Sequence, residues 1–488
     1  MVLQFFQLIR KFMLRFPHPP AFLWLAFSAL LVLAGCRTGS TSSTPTAGVT
    51  PSAANPSAPT PSPLATKSAT PTAGAGADWT TYHGDNQRTG YLPDMPDPQQ
   101  LAVAWNTPLD GAVYAGPLVV NGHVIVATEN NSLVSLNANT GQVEWQTHIG
   151  DPVPGSALPC GNIDPLGITG TPVYDSASGL IFAVAEVSGP AHLLVGVDAR
   201  TGEVKVRRSA DVTGMEPASH QQRAALALAQ GRVYIAYGGL FGDCGSYRGA
   251  VVAARTDGTG ELLAYRVPTP REGGIWASAG PVVDTAGHIY VAVGNGSQVS
   301  GEWDHSDSVL RLSPMLQLED GFAPEQWAQD NARDADLGSL SPVLLPDNLI
   351  FIAGKSGTGY TLHANALGGV GGQIQSKTAC HAYGGAAVVG STVFVPCNEG
   401  VQQIQVSADG NFTLGWRAAQ VPGSPVVGGH TVYALDRSGA LHALDLETGK
   451  DRAAPVNVGA TSRFATPTLF QNHVFIGTLT GIVAVTIS

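Results

Sequence analysis

The sequence predicts an all-β protein, and three observations carry that expectation. Only 12% of its 488 residues are charged, about half of the roughly 25% usual in soluble domains. With 59 glycines and 34 prolines, it is well above the average of roughly 12% for the two together. From residue 112 onward, short β-branched runs alternate with turn signals. Such a chain is too poor in charge for long solvated helices and too rich in helix breakers for a bundle. At 44% hydrophobic it can still bury a large core. Acidic residues outnumber basic ones by 36 to 25, which argues against nucleic acid as a partner, because phosphate binding needs clustered Lys and Arg.

Arg10, Lys11 and Arg15 precede an apolar run from Ala21 to Gly35, which ends in Leu33-Ala34-Gly35-Cys36. A basic segment, a short apolar stretch and small residues describe a cleaved export signal over residues 1–35. The run is also short for a span of about 20 residues. Leu-Ala-Gly-Cys resembles the bacterial lipobox, which implies a lipid on Cys36 and a membrane-anchored mature protein. The alternative is an uncleaved transmembrane anchor. Both place the rest of the chain outside the cytoplasm, at the cell surface or in the periplasm. Residues 37–77 hold 36 Ser, Thr, Pro, Ala or Gly among 41 positions, too little apolar surface to offset the entropy of ordering them. Together with Cys36 they read as a tether, with the folded body over 78–488.

Cys160, Cys244, Cys380 and Cys397 remain after Cys36. In an exported chain an even number suggests disulfides. Three pairings are open, and spacing favours Cys160–Cys244 with Cys380–Cys397. No CxxCH or Cys/His cluster occurs, so neither attached haem nor structural zinc is expected.

Openings of small residues and proline, each followed by a β run, recur at Pro117, Pro172, Pro281, Pro342, Pro425 and Pro467. Two more lack the proline, at Arg223-Ala224-Ala225 and Gly384-Gly385-Ala386-Ala387. Third strands run into Thr140-Gly141, Thr201-Gly202, Thr259-Gly260 and Thr448-Gly449, with a repeat length of about 47 residues. Four short strands per repeat indicate a β-propeller of eight blades, seven being the alternative count. The eighth repeat, 461–488, ends after its third strand. Leu101–Leu109 is expected to supply the missing outer strand, with Trp105 in the place that Trp145 holds in the first repeat, closing the ring. Pro324–Leu337 is expected to hold one short helix inserted on the mouth side.

Thr140-Gly141-x-x-x-Trp145 and Leu441-His442-Ala443-Leu444-Asp445 with Thr448-Gly449 resemble the repeat of the PQQ-type quinoprotein alcohol dehydrogenase-like propellers. Trp79, Gly84-Asp85 and Arg88-Thr89-Gly90 are similar to the lead-in of such folds. The same fold serves envelope assembly-factor lipoproteins, so the resemblance speaks to fold before activity.

Loops that join second to third strands lie on the same face as the crossings between blades. Asp243, Trp276, Asn295, Asp307 and Lys355 fall in those loops and crossings. Asp and Asn oxygens suit a hard cation. A tricarboxylate quinone would want that cation, a flat aromatic and a positive partner. Motif order is similar to that of the polyvinyl-alcohol dehydrogenases, through Tyr247-Arg248-Gly249, Trp276, Gly294-Asn295, Ser306-Asp307, Asp336-Leu337-Gly338 and Gly354-Lys355-Ser356-Gly357. That resemblance implies PQQ and Ca²⁺, with Trp276 under the quinone and Lys355 as its cationic partner. It further implies Asn295, Asp243 and Asp307 on the metal, and Asp307 as catalytic base. The family's adjacent cysteine pair and haem motif are absent. Gly354-Lys355-Ser356 is no phosphate loop, since Leu349 stands where that motif needs glycine. His83, His220 and His381 are expected to be structural or exposed.

Two functions follow as expectations. One is a PQQ- and Ca²⁺-dependent dehydrogenase of an alcohol or sugar, passing electrons to a separate acceptor. The other is a non-catalytic surface propeller that binds an envelope protein or a polymer at its mouth.

Overall fold

The computed structural model describes residues 77–488. The signal sequence, Cys36 and the tether to residue 76 lie outside the described residues. Eight sheets are arranged in a ring as a β-propeller, which settles the count at eight blades. The inner strands begin right after the small-residue openings, at Leu118, Val173, Ala227, Val282, Val343, Ala387, Val426 and Thr468. Second and third strands pair in tight antiparallel register, for example Thr431–Leu435 with Ala440–Asp445 in blade 7.

The ring closes as expected. Leu101–Pro108 runs antiparallel to the last strand, Gly481–Ile487, with Leu101 opposite Ile487 and Pro108 opposite Gly481. Blade 8 is thus built from both ends of the body. Such closure removes the exposed edge that an open sheet would present.

The Thr-Gly-x-x-x-Trp pattern has a mechanical basis. The indole of an outer strand packs on the Thr-Gly turn of the next blade and donates to a carbonyl there. Trp105 Nε1 donates to Ala138 O at 3.0 Å, Trp145 Nε1 to Ala199 O at 3.1 Å and Trp416 Nε1 to Leu446 O at 2.9 Å. Gly141 has φ +68°, and a Cβ there would stand 2.5 Å from the Trp105 ring. Gly141→Ala is therefore expected to destabilise by about 2–4 kcal/mol, from left-handed strain plus overpacking. Urea denaturation checks this; an unchanged midpoint would refute the indole-on-turn contact.

Between blades the sheets pack face to face in apolar layers. One buried cluster joins blades 7, 8 and 1 through Tyr433, Phe475 and Val124, and another joins blades 4, 5 and 6 through Phe322, Phe351 and Phe412. Both expected disulfides are present, Cys160–Cys244 and Cys380–Cys397, with Cα atoms 6.0 and 5.8 Å apart. The short helix α1 spans Trp327–Ala332 within the expected 324–337 stretch.

Residues 79–92 do more than lead in. Trp79 bridges Val119, Thr80 O accepts from Tyr174 N, and Asn86 O from Val283 N. Thr89 O accepts from Val388 N, and Gly90 O from Val427 N. Arg88 reaches Leu226 O, and His83 contacts Thr466 Oγ1. The segment thereby touches every blade but the fifth. None of its residues lines the cavity described next.

Candidate functional site

The mouth is a cavity of about 750 Å³. Its walls come from the second-to-third-strand loops and the inter-blade crossings. Trp276, Asn295, Lys355 and Asp243 all line it. Sequence reasoning placed these four on one face, and the structure brings them to one cavity.

Trp276 is half-buried in the crossing into blade 4. The Lys355 ammonium lies 5.6 Å and the Arg223 guanidinium 5.5 Å from its ring centroid. Phe464 stands edge-on to it at 6.3 Å. Gly238 and Gly294 make room for Trp276, since a Cβ on Gly238 would stand 2.9 Å from the Trp276 Cβ and one on Gly294 3.0 Å from its Nε1.

Asn295, Asp336 and Lys355 form one linked group. Asn295 N–H donates to Asp336 Oδ1, and its side-chain amide, with nitrogen turned inward, donates to Oδ2 at 3.2 Å. Lys355 Nζ lies 2.5 Å from Asp336 Oδ2 and 2.7 Å from Asp334 Oδ1. Burial pushes the Asp336 carboxyl up, against the opposing pull of Lys355 and the Asn295 N–H. Burial pulls the Lys355 ammonium down, but the Asp336 charge and the bonds to Asp334 and Asp336 outweigh it and raise it.

Asp307 does not reach the cavity. It sits at φ +48°, fully buried, and its Oδ1 accepts the Leu337 N–H at 2.6 Å. Burial raises its pKa well above the carboxylate range. It braces the 336–338 turn from behind, and Asp336 is the carboxylate that turns into the mouth. Asp243 stands at the exposed rim and accepts the Tyr247 hydroxyl at 2.5 Å. Asp243, Asn295 and Asp307 therefore do not share one cavity. Among the described residues, no group of three or more His, Cys, Asp or Glu side chains is arranged to hold a metal.

Sequence reasoning missed two cations. Arg223 and Arg463 line the same cavity, delivered by the crossings into blades 3 and 8. Arg463 lies 4.0 Å over Tyr383 and donates to Asn398 Oδ1 at 2.5 Å, with no carboxylate partner among the described residues. Arg223 lies 4.4 Å over Phe464 and makes no hydrogen bond or ion pair to a described residue. Burial pulls its pKa down to about 10, with Glu129 pulling the other way. A basic residue in an otherwise small-residue opening was the one available signal. Cys160–Cys244 sits behind the rim: Gly242, a cavity residue, approaches both sulfurs. The disulfide thus fastens the 240–248 loop to the crossing between blades 1 and 2.

His83 is buried against Ala386 O and Thr466, His220 is buried against Glu216 O, and His381 is exposed beside Glu399.

A family model described as outer membrane protein assembly factor BamB matches residues 102–365. Among solved structures, a europium-containing methanol dehydrogenase superposes with a TM-score of 0.67 at 16% identity, covering 85% of this chain and 98% of that one. A quinohemoprotein alcohol dehydrogenase from Pseudomonas putida HK5 gives 0.66 at 14% identity, covering 84% and 80%. BamB from Moraxella catarrhalis gives 0.55 at 14%, covering 80% and 100%. No curated protein matches the sequence. At such identities the structural likeness speaks for the fold alone.

Proposed function

The chain belongs to the family described as outer membrane protein assembly factor BamB, and we propose a propeller of the cell envelope, lipid-anchored at Cys36, that binds a planar polyanionic quinone of the PQQ class at its mouth and oxidises an alcohol or sugar there. The observation that carries this is the lining of the cavity. Arg223, Arg463 and Lys355 present three cations beside the aromatic faces of Trp276 and Phe464. Guanidinium and ammonium groups suit carboxylates, and a flat indole suits a flat ring. Arg223 in particular is a half-buried charge with no hydrogen-bonded anion among the described residues, Glu129 acting on it only through space.

The residues fit the quinone and do not fit the expected calcium set. Of that set, Asn295 lines the inner mouth beside Asp336 and Asp243 the rim, while Asp307 is turned away; Ca²⁺ takes six to eight oxygens.

When bound, such a quinone accepts a hydride from a carbinol carbon. Trp276 supports the ligand plane, and the two arginines and Lys355 orient its carboxylates. Asp336 is the group placed to accept the substrate's hydroxyl proton. Lys355 and the Asn295 N–H favour its ionised form, while burial makes it a stronger base than an exposed carboxylate. A separate electron acceptor would reoxidise the reduced quinone.

The assay is an absorbance titration with PQQ, with and without Ca²⁺, followed by dye-linked oxidation of an alcohol and sugar panel. One equivalent bound, lost in Trp276→Ala, with dye reduction is the expected result. Absence of binding under both conditions overturns it. The second reading, a scaffold that docks an envelope protein, is favoured by Phe241 and Val299, which are 67% and 53% exposed in mouth-side loops. Under that reading PQQ does not bind, and partner capture depends on Phe241.

A further inference from the structure

Behind the cavity, the second strands of blades 1 and 2 each lead into an inward-turned glutamate. Glu129 Oε2 accepts the Gly167 N–H at 2.7 Å, and Glu186 Oε1 accepts that of Gln222 at 2.8 Å. Both N–H groups belong to the crossing into the next blade, so each carboxylate links neighbouring blades. Glu129 has an oxygen left over. Its Oε1 is buried without a hydrogen-bond partner, and so are Asn131 Oδ1, Thr169 Oγ1 and Gln222 Oε1. All four residues are 5% exposed or less.

These oxygens gather along the crossing 167–170. A Cβ on Gly167 would stand 2.9 Å from Asn131 Oδ1 and overlap the Glu129 carbonyl, and one on Gly170 would overlap Gln222 Oε1. The Thr169 hydroxyl lies beside the Glu129 carboxylate. Amide rotation cannot relieve the crowding of acceptors. Asn131 Nδ2 donates outward to Glu186 O at 2.7 Å, and Gln222 Nε2 to Ala224 O at 2.6 Å. Both amide oxygens are thereby held where they are.

Buried polar atoms normally have partners. A proton on Glu129 supplies one donor and the Thr169 hydroxyl another, while a cation serves every oxygen at once and neutralises the carboxylate. Arg223 offsets part of the Glu129 charge through space, but it makes no hydrogen bond to these oxygens and faces Phe464 and Trp276. Carboxylate, amide and hydroxyl oxygens with no sulfur or imidazole select a hard ion.

We propose that a calcium-class divalent cation binds between blades 1, 2 and 3, ligated by Glu129 Oε1, Asn131 Oδ1, Thr169 Oγ1 and Gln222 Oε1. Water completes its coordination. The site joins three successive blades and is separate from Asn295 and Asp336, so it stands whether or not a quinone binds at the mouth.

The test uses the folded protein stripped with EDTA, without quinone. Calcium chloride is expected to bind with one equivalent and to raise the Tm, in the parent and in Asp336→Asn alike. Glu129→Gln should abolish that uptake. Thr169→Val, which keeps shape and loses one oxygen, should weaken it by about tenfold. No uptake by the parent overturns the proposal, as does uptake unchanged in both Glu129→Gln and Thr169→Val. Uptake lost in Asp336→Asn would put the ion at the mouth and also overturns it. An equal Tm rise from sodium or potassium would overturn the divalent assignment.

Discussion

Arg223→Gln is expected to weaken binding of a PQQ-class quinone by about 10- to 100-fold, since a hydrogen bond to a charged group contributes about 1.5–3 kcal/mol. The expectation rests on what Arg223 lacks. Lys355 is held by Asp334 and Asp336, and Arg463 by Asn398, whereas Arg223 packs on the faces of Phe464 and Trp276 and feels Glu129 without a hydrogen bond to it. Its burial already disfavours the charge, as the lowered pKa of about 10 indicates. Removing it should therefore cost affinity without costing fold stability, and the Tm should hold or rise. Glutamine keeps the aliphatic stem and some polarity and loses the charged guanidinium. Isothermal titration against quinone at two salt concentrations reads it. The variant should lose both affinity and part of the salt dependence. Unchanged affinity would mean that Arg223 serves the propeller and not a ligand.

The ring itself was legible because its repeats are enforced by local chemistry. A Thr-Gly turn must leave room for an indole, and so the motif marks each blade wherever the indole is kept. Closure through Leu101–Pro108 was legible for the same reason, because Trp105 carries the same bond as Trp145. At the mouth, Trp276, Asn295 and Lys355 were found because they fall in the loops and crossings of one face, Asn295 and Lys355 directly after a glycine. Spacing could not say which of Asp307 and Asp336 turns inward. That choice is made by a single backbone bond, Leu337 N–H to Asp307 Oδ1, which fixes Asp307 behind the turn. Arg223 and Arg463 were invisible for another reason: they are 240 positions apart and meet only because the ring brings blades 3 and 8 to one opening. The orphaned oxygens around Glu129 were equally hidden, since their meaning lies in the donors they lack.

Arg88→Ala is expected to be the most destabilising single change, by about 3–5 kcal/mol, the range seen when one partner of a buried charged network is removed. Arg88 is 4% exposed, at φ +61°, within the segment that touches seven blades. Its Nη1 donates to Thr81 Oγ1 at 2.6 Å and to Tyr82 O at 3.3 Å. Its Nη2 donates to Leu226 O at 2.9 Å and to Pro281 O at 3.1 Å, which joins the inner ends of blades 3 and 4. Alanine would take away the side-chain donor of the Tyr82 and Pro281 carbonyls, leave Leu226 O with Thr81 Oγ1 alone, and open a cavity beneath the ring. Lysine should rescue only part of the loss, because one ammonium cannot span carbonyls that a planar fork reaches together. The urea midpoint should fall with the m-value unchanged if the propeller unfolds as a unit. Since no residue of 79–92 lines the mouth, ligand affinity measured well below the midpoint should be retained. A variant that kept its midpoint would show that the ring is held by its blades alone, and that the segment beneath them is an ornament of the chain's route and not a tie.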